Sequence, residues 1–72
     1  MKYILTTPDD EYFLTDIKSL EKRMISLMCT ECVIDLFMDI PTEVMMEMSH
    51  EDMIEELMLT DCATEWYITV EL

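Results

Sequence analysis

Acidic residues stand at Glu31, Asp35, Asp39, Glu43, Glu47, Glu51 and Glu55, one at every fourth position. Asp52 and Glu56 begin a second row beside the last of them. On an α-helix, residues four apart are neighbours on one face, roughly 6 Å apart along the axis. The spacing therefore expects a line of negative charge on helix, which has to lie in solvent. Solvated helix faces usually mix both signs, because opposite pairs at this spacing help and like pairs each cost about 0.2–0.5 kcal/mol. Here no Lys or Arg follows Arg23, and residues 24–72 hold twelve acids. The repulsion points to a charged surface kept for a purpose other than stability.

Size sharpens the constraint. Seventy-two residues make one domain, spanning 1–72. Such a chain buries only around 60% of the surface its unfolded form exposes, so its core is marginal. A net charge of −13 weakens it further, while an apolar content of 51% is too high for a disordered acidic tail. The expectation is a folded domain that leans on a partner or on a second copy of itself as a homodimer. The charge argues against binding free nucleic acid or anionic membrane surfaces, and for basic partners. No run reaches the roughly 18 apolar residues of a membrane span. The N-terminal stretch turns acidic too soon for a signal peptide, and an odd count of three cysteines suits reduced thiols in a cytoplasm.

Taken in order, Lys2 to Thr7 and Glu11 to Thr15 read as two strands of a β-hairpin around the turn residues Pro8-Asp9-Asp10. The chain contains no Gly, which excludes the commonest two-residue hairpin turn and expects a longer loop. Asp16 suits the N-cap of a helix opening at Ile17, along which Ile17, Leu20, Met24, Leu27 and Met28 keep helical spacing. Near Thr30 the apolar pattern changes phase, moving to Cys29, Val33, Leu36 and Ile40. Three readings remain open: one helix buried on two sides, two helices meeting near Thr30, or a strand over Val33–Ile40. Helix is favoured over strand; were the strand right, the acid ladder would begin at Glu43.

Pro41 ends what precedes it and suits the first position of a short helix over Thr42–Met48. Ser49 with Asp52 resembles a capping box for a helix running to about Leu59, with Met53, Ile54, Leu57 and Met58 facing inward. Trp66 to Leu72 alternates as a strand, with Trp66, Ile68, Val70 and Leu72 expected to face the helices. The fold class is α+β: an antiparallel three-stranded sheet, built from the N-terminal hairpin and the C-terminal strand, with two to three helices packed on one face.

Side-chain chemistry suggests binding and not catalysis. Many carboxylates are present, but no pair stands out as an acid–base couple, and the chain is too small for a deep pocket around one. An EF-hand calcium loop needs a Gly that the chain lacks. Cys29-Thr-Glu-Cys32, Cys62 and His50 offer four zinc-ligand types, yet Cys62 lies thirty residues beyond Cys32 and His50 falls at the start of a helix. Small core thiols are the plainer account, so neither metal nor cofactor is expected. A thioredoxin-like redox role wants neighbouring positive charge, and Glu31 supplies the opposite. Met45, Met46, Met48, Met53 and Met58 read first as adaptable core filling, and second as an apolar surface for a partner.

In size, charge balance and the acids Glu31, Asp35, Asp39, Glu43, Glu47, Glu51, Asp52, Glu55 and Glu56, the chain resembles the small acidic inhibitor proteins made by bacteriophages. That class includes DNA mimics with anti-restriction or anti-CRISPR activity, and it shares no common fold. The resemblance implies a stoichiometric inhibitor acting in the host cytoplasm. The nine acids would be its partner-binding residues, and its target a basic nucleic-acid-binding protein such as a nuclease, restriction enzyme or CRISPR effector. The alternative is an acidic interaction module, a small subunit or antitoxin-like partner, that binds through its Met-rich apolar surface.

Overall fold

The computed structural model describes all residues, 1–72. Strands β1 (Lys2–Thr6) and β2 (Glu11–Leu14) form the N-terminal hairpin. Its loop is four residues long, as the lack of Gly required, and Thr7 and Asp10 close it: the Thr7 N–H donates to the Asp10 carbonyl at 2.9 Å and the Thr7 hydroxyl accepts from the Asp10 N–H at 3.1 Å. The C-terminal strand β3 (Tyr67–Glu71) pairs antiparallel with β1, so the sheet order is β2-β1-β3.

Register decides which side of the sheet each residue serves. Leu5 lies opposite Tyr12 and Ile68, and Tyr3 opposite Leu14 and Val70. These residues share one face because directly paired residues point the same way. On the other face, Ile4 stands opposite Phe13 and Thr69, and Phe13 is exposed. The chain therefore builds a sheet covered by helices on one side only.

Four α-helices follow the hairpin: α1 (Ile17–Leu27), α2 (Thr30–Asp39), α3 (Thr42–Glu47) and α4 (His50–Met58). A 3₁₀ turn over Asp61–Ala63 leads into β3. The count exceeds the two or three expected because the phase change near Thr30 is a real corner. Met28 and Cys29 both adopt extended backbone, α1 ends, and α2 starts in a new direction with its own apolar stripe. Of the three readings of this stretch, two helices meeting near Thr30 is the one observed, and Val33–Ile40 is helical up to Asp39. No helix is long and apolar enough to cross a membrane.

The core gathers where α1 meets the sheet and α4. Leu5, Leu20, Met24 and Leu57 are fully buried, with Met28, Leu36, Met53 and Ile54 around them. Met45, Met48 and Met58 pack at its margin, so most of the methionines in the acidic half fill the core. The expected row along β3 needs correction. Ile68 and Trp66 pack against the core, but Val70 is about half exposed and Leu72 lies beyond the strand, fully exposed. Alternation set the side correctly; the helices do not extend over the far end of β3.

Leu5→Ala should lower the unfolding free energy by about 2–5 kcal/mol, the range for truncating a buried Leu. Leu72→Ala should fall within about 0.5 kcal/mol of the parent, as surface changes do. Urea denaturation of the two variants tests this placement of the core.

The cap at the start of α1 makes a pH prediction. The Asp16 carboxylate accepts from the Ser19 N–H at 2.7 Å, and this bond, helped by the Ser19 side chain, holds its pKa below the usual value. A carboxylate whose pKa is depressed by folding stabilises above its unfolded pKa and loses that contribution as pH falls through its folded pKa. Asp16→Asn keeps an acceptor without the charge. The parent should melt above this variant at neutral pH, and the gap should close as pH drops below about 4. Thermal melts of both proteins across that range provide the check.

Candidate functional site

The acid ladder does not form one line. α2 carries Glu31, Asp35 and Asp39; α3 carries Glu43 and Glu47; α4 carries Glu51, Asp52, Glu55 and Glu56. The chain turns at Ile40–Pro41 and again at Met48–Ser49, where Ile40, Met48 and Ser49 have extended backbone and Pro41 sits as the N-cap of α3. Each turn re-aims the next helix, so the single rigid row of carboxylates at regular spacing is corrected to three short acidic helices. All nine acids are exposed except Glu56, which is half-buried.

The helix ends set the acids of first turns apart from those of last turns, Asp39, Glu47, Glu55 and Glu56. Glu31, Glu43, Glu51 and Asp52 lie in first turns, where the positive end of the helix dipole favours a carboxylate. They have a structural reason to be acidic. Asp39 and Glu47 are the last residues of their helices, where the same dipole disfavours them, and no base stands in the last turn of any of the four α-helices. None of the nine acids makes an ion pair. The one salt-bridge contact in the molecule joins the His50 Nδ1 to the Glu21 carboxylate, tying α4 to α1. The four bases lie apart from the ladder, on β1 and α1, and Arg23 stacks its guanidinium 5.3 Å from the Tyr12 ring centroid.

Four acids from two helices and a turn meet across a groove. Asp35 and Asp39 from α2, Glu56 from α4 and Asp61 from the 3₁₀ turn line a space of about 250 Å³, floored partly by Cys32, Leu36 and Leu59. Asp61 was not among the sequence candidates, since it stands off the four-residue period. Beside the acids, α2 and α3 expose apolar side chains, with Met38 78% and Met46 82% exposed and Ile34 and Val44 about half exposed.

The three cysteines also converge, which their sequence separation concealed. Cys29 is the N-cap of α2, and its sulfur accepts from the Cys32 N–H at 3.4 Å. Cys62 returns on the 3₁₀ turn to place its sulfur 3.2 Å from that of Cys29 and 3.0 Å from that of Cys32. The Cys62 sulfur accepts in turn from the Cys29 N–H at 3.3 Å. The Cys32 N–H lowers the Cys29 thiol pKa, aided by the neighbouring thiols. Hydrogen bonds to Cys62 and then Cys29 push the Cys32 thiol up to about 12. His50, engaged by Glu21, is not part of the group.

No protein-family description matches this chain, and no curated protein or solved structure is detectably similar to it.

If Asp39 and Glu47 oppose the helix dipoles, Asp39→Asn and Glu47→Gln should each stabilise the free protein by about 0.3–1 kcal/mol at low salt. The gain should shrink as salt rises. Denaturation at two ionic strengths reads both effects.

Proposed function

We propose that the chain is a non-catalytic, stoichiometric binding protein that offers the acidic surface of α2–α4 to the basic nucleic-acid-binding site of a target protein. The observation that carries this reading is the placement of Asp39 and Glu47. They sit where the helix dipole repels a carboxylate, on a half of the chain with no base to pair with. Folding gives no reason for them, whereas a basic partner does. The helices turn, so the acids do not reproduce a regular row of charges. They instead make a concentrated negative field, which steers a basic partner and pairs with its Lys and Arg side chains. Phage-type counter-defence in a host cytoplasm, through anti-restriction, anti-CRISPR or a related inhibition, is the setting this implies. The same field repels nucleic acid itself.

A second reading has its own observation. Met38 and Met46, with Ile34 and Val44, are exposed apolar side chains on the acidic helices, which suit a partner that packs on them while the charge maintains solubility. A second copy of the chain is one such partner.

The test is capture of the target from a bacterial lysate, followed by two challenges. Duplex DNA should displace the protein from its target, and added salt should weaken the complex mainly by slowing association. The variant Asp35→Asn, Asp39→Asn, Glu47→Gln, Glu55→Gln alters no first-turn acid, so it should melt at or above the parent temperature while losing its target. Binding that resists DNA, survives in this variant and fails in Met38→Ser, Met46→Ser replaces the first reading with the second.

A further inference from the structure

We propose that Cys29, Cys32 and Cys62 form a binding site for one zinc ion, held by three thiolates with the fourth position open to water. The proposal reverses the expectation of isolated core thiols and stands apart from the acidic-surface reading. It starts from geometry. The three sulfurs lie within 4.8 Å of one another, with two separations of 3.0 and 3.2 Å. Tetrahedral zinc with bonds of about 2.3 Å needs its sulfurs roughly 3.8 Å apart. Shifts below about 1 Å therefore convert the thiol group into a zinc site, on side chains that are exposed or half-buried.

The backbone is arranged for the same task. Two N–H groups already point at sulfur, Cys32 N–H at Cys29 and Cys29 N–H at Cys62. Such donors orient thiolate ligands and offset their charge. The first turn of the ten-residue helix α2 adds the positive end of its dipole. Three thiolates around Zn²⁺ carry a net charge of −1, and binding releases the thiol protons to solvent. Neither His nor carboxylate belongs to the sulfur group, and Cys29 is exposed, so water completes the coordination.

A disulfide uses the group less well. Closing either pair to about 2.05 Å leaves one sulfur unused. It also forsakes the feature that sets this group apart, a Cys62 sulfur nearly equidistant from the other two. A zinc ion uses all three and staples the α1–α2 corner to the 3₁₀ turn before β3. That is the kind of cross-link small domains use when their core is thin.

The experiment begins with reduced, metal-stripped protein titrated with Co²⁺. One equivalent should produce sulfur-to-cobalt charge-transfer absorption and the intense visible bands of tetrahedral cobalt, and one equivalent of Zn²⁺ should abolish them. The zinc-loaded protein should melt at a higher temperature, with the gain lost on chelation. Cys29→Ser, Cys32→Ser and Cys62→Ser should each lose stoichiometric binding, with circular dichroism reporting whether the variant is folded. Absence of the charge-transfer band in the parent overturns the proposal whatever the variants do. So does full cobalt binding by the triple Ser variant, which places the metal on carboxylates. The four-fold acid variant described above should still take up cobalt, so failure at the thiols and failure of the acidic surface are read separately.

Discussion

Everything in this molecule depends on α1 burying Leu20 and Met24 against Leu5 of the sheet and Leu57 of α4. Nine residues out of 72 are buried, so this cluster holds together a chain of net charge −13 with little to spare. It also joins the two electrostatic halves. The hairpin and α1 hold all four bases, while α2, α3 and α4 hold acids alone among their charged side chains save His50. The contact from His50 to Glu21 supports that seam from the surface. Unit charges about 6 Å apart repel by roughly 0.7 kcal/mol in water before screening. An acidic half of this kind stays folded because its apolar stripes reach a core it shares with the other half.

The elements with local causes were legible in the sequence. Asp16 and Ser49 cap α1 and α4 through the Ser19 and Asp52 N–H groups, as their types and spacing imply. The hairpin, the strand β3 and the inward set Met53, Ile54 and Leu57 follow from alternation and helical period. The corners were harder to read, for a definite reason. Helices commonly end in a left-handed residue that favours Gly, yet no residue here has positive φ. Met28, Ile40 and Met48 end their helices in extended backbone instead, a conformation open to any residue type and so without a mark in the sequence. The phase change near Thr30 was the only trace of the first corner, and Pro41 the clearest sign of the second. The over-extended core of β3 has a different source: alternation tells which side Val70 takes, but not whether a helix covers it, and Val70 is about half exposed.

The candidate site was legible in its residues and illegible in its shape. Period-four spacing identified the acids, and their excess over bases, but the spacing suggested a continuous row that the corners break. What replaces the row is more informative. Helix ends divide the acids into those the dipole welcomes, Glu31, Glu43, Glu51 and Asp52, and those it opposes, Asp39 and Glu47 at the last helical positions with Glu55 and Glu56 in the last turn of α4. A count of charges could not make that division, because it requires the ends of α2 and α3 to be known to the residue.

The groove and the thiol group share a wall, and this links the two proposals physically. Cys32 lines the groove that Asp35, Asp39, Glu56 and Asp61 surround, and Asp61 directly precedes Cys62. The groove therefore takes its width from the distance between α2 and the 3₁₀ turn, the same two elements the three sulfurs bridge. Without a bound ion, hydrogen bonds to and between sulfurs span that gap, and the four carboxylates across the groove repel one another. With zinc on the sulfurs, the bridge becomes three metal–ligand bonds, and the same repulsion acts on a fixed frame. The acids then keep a defined arrangement while remaining unpaired, which is the state in which a basic partner gains most from meeting them.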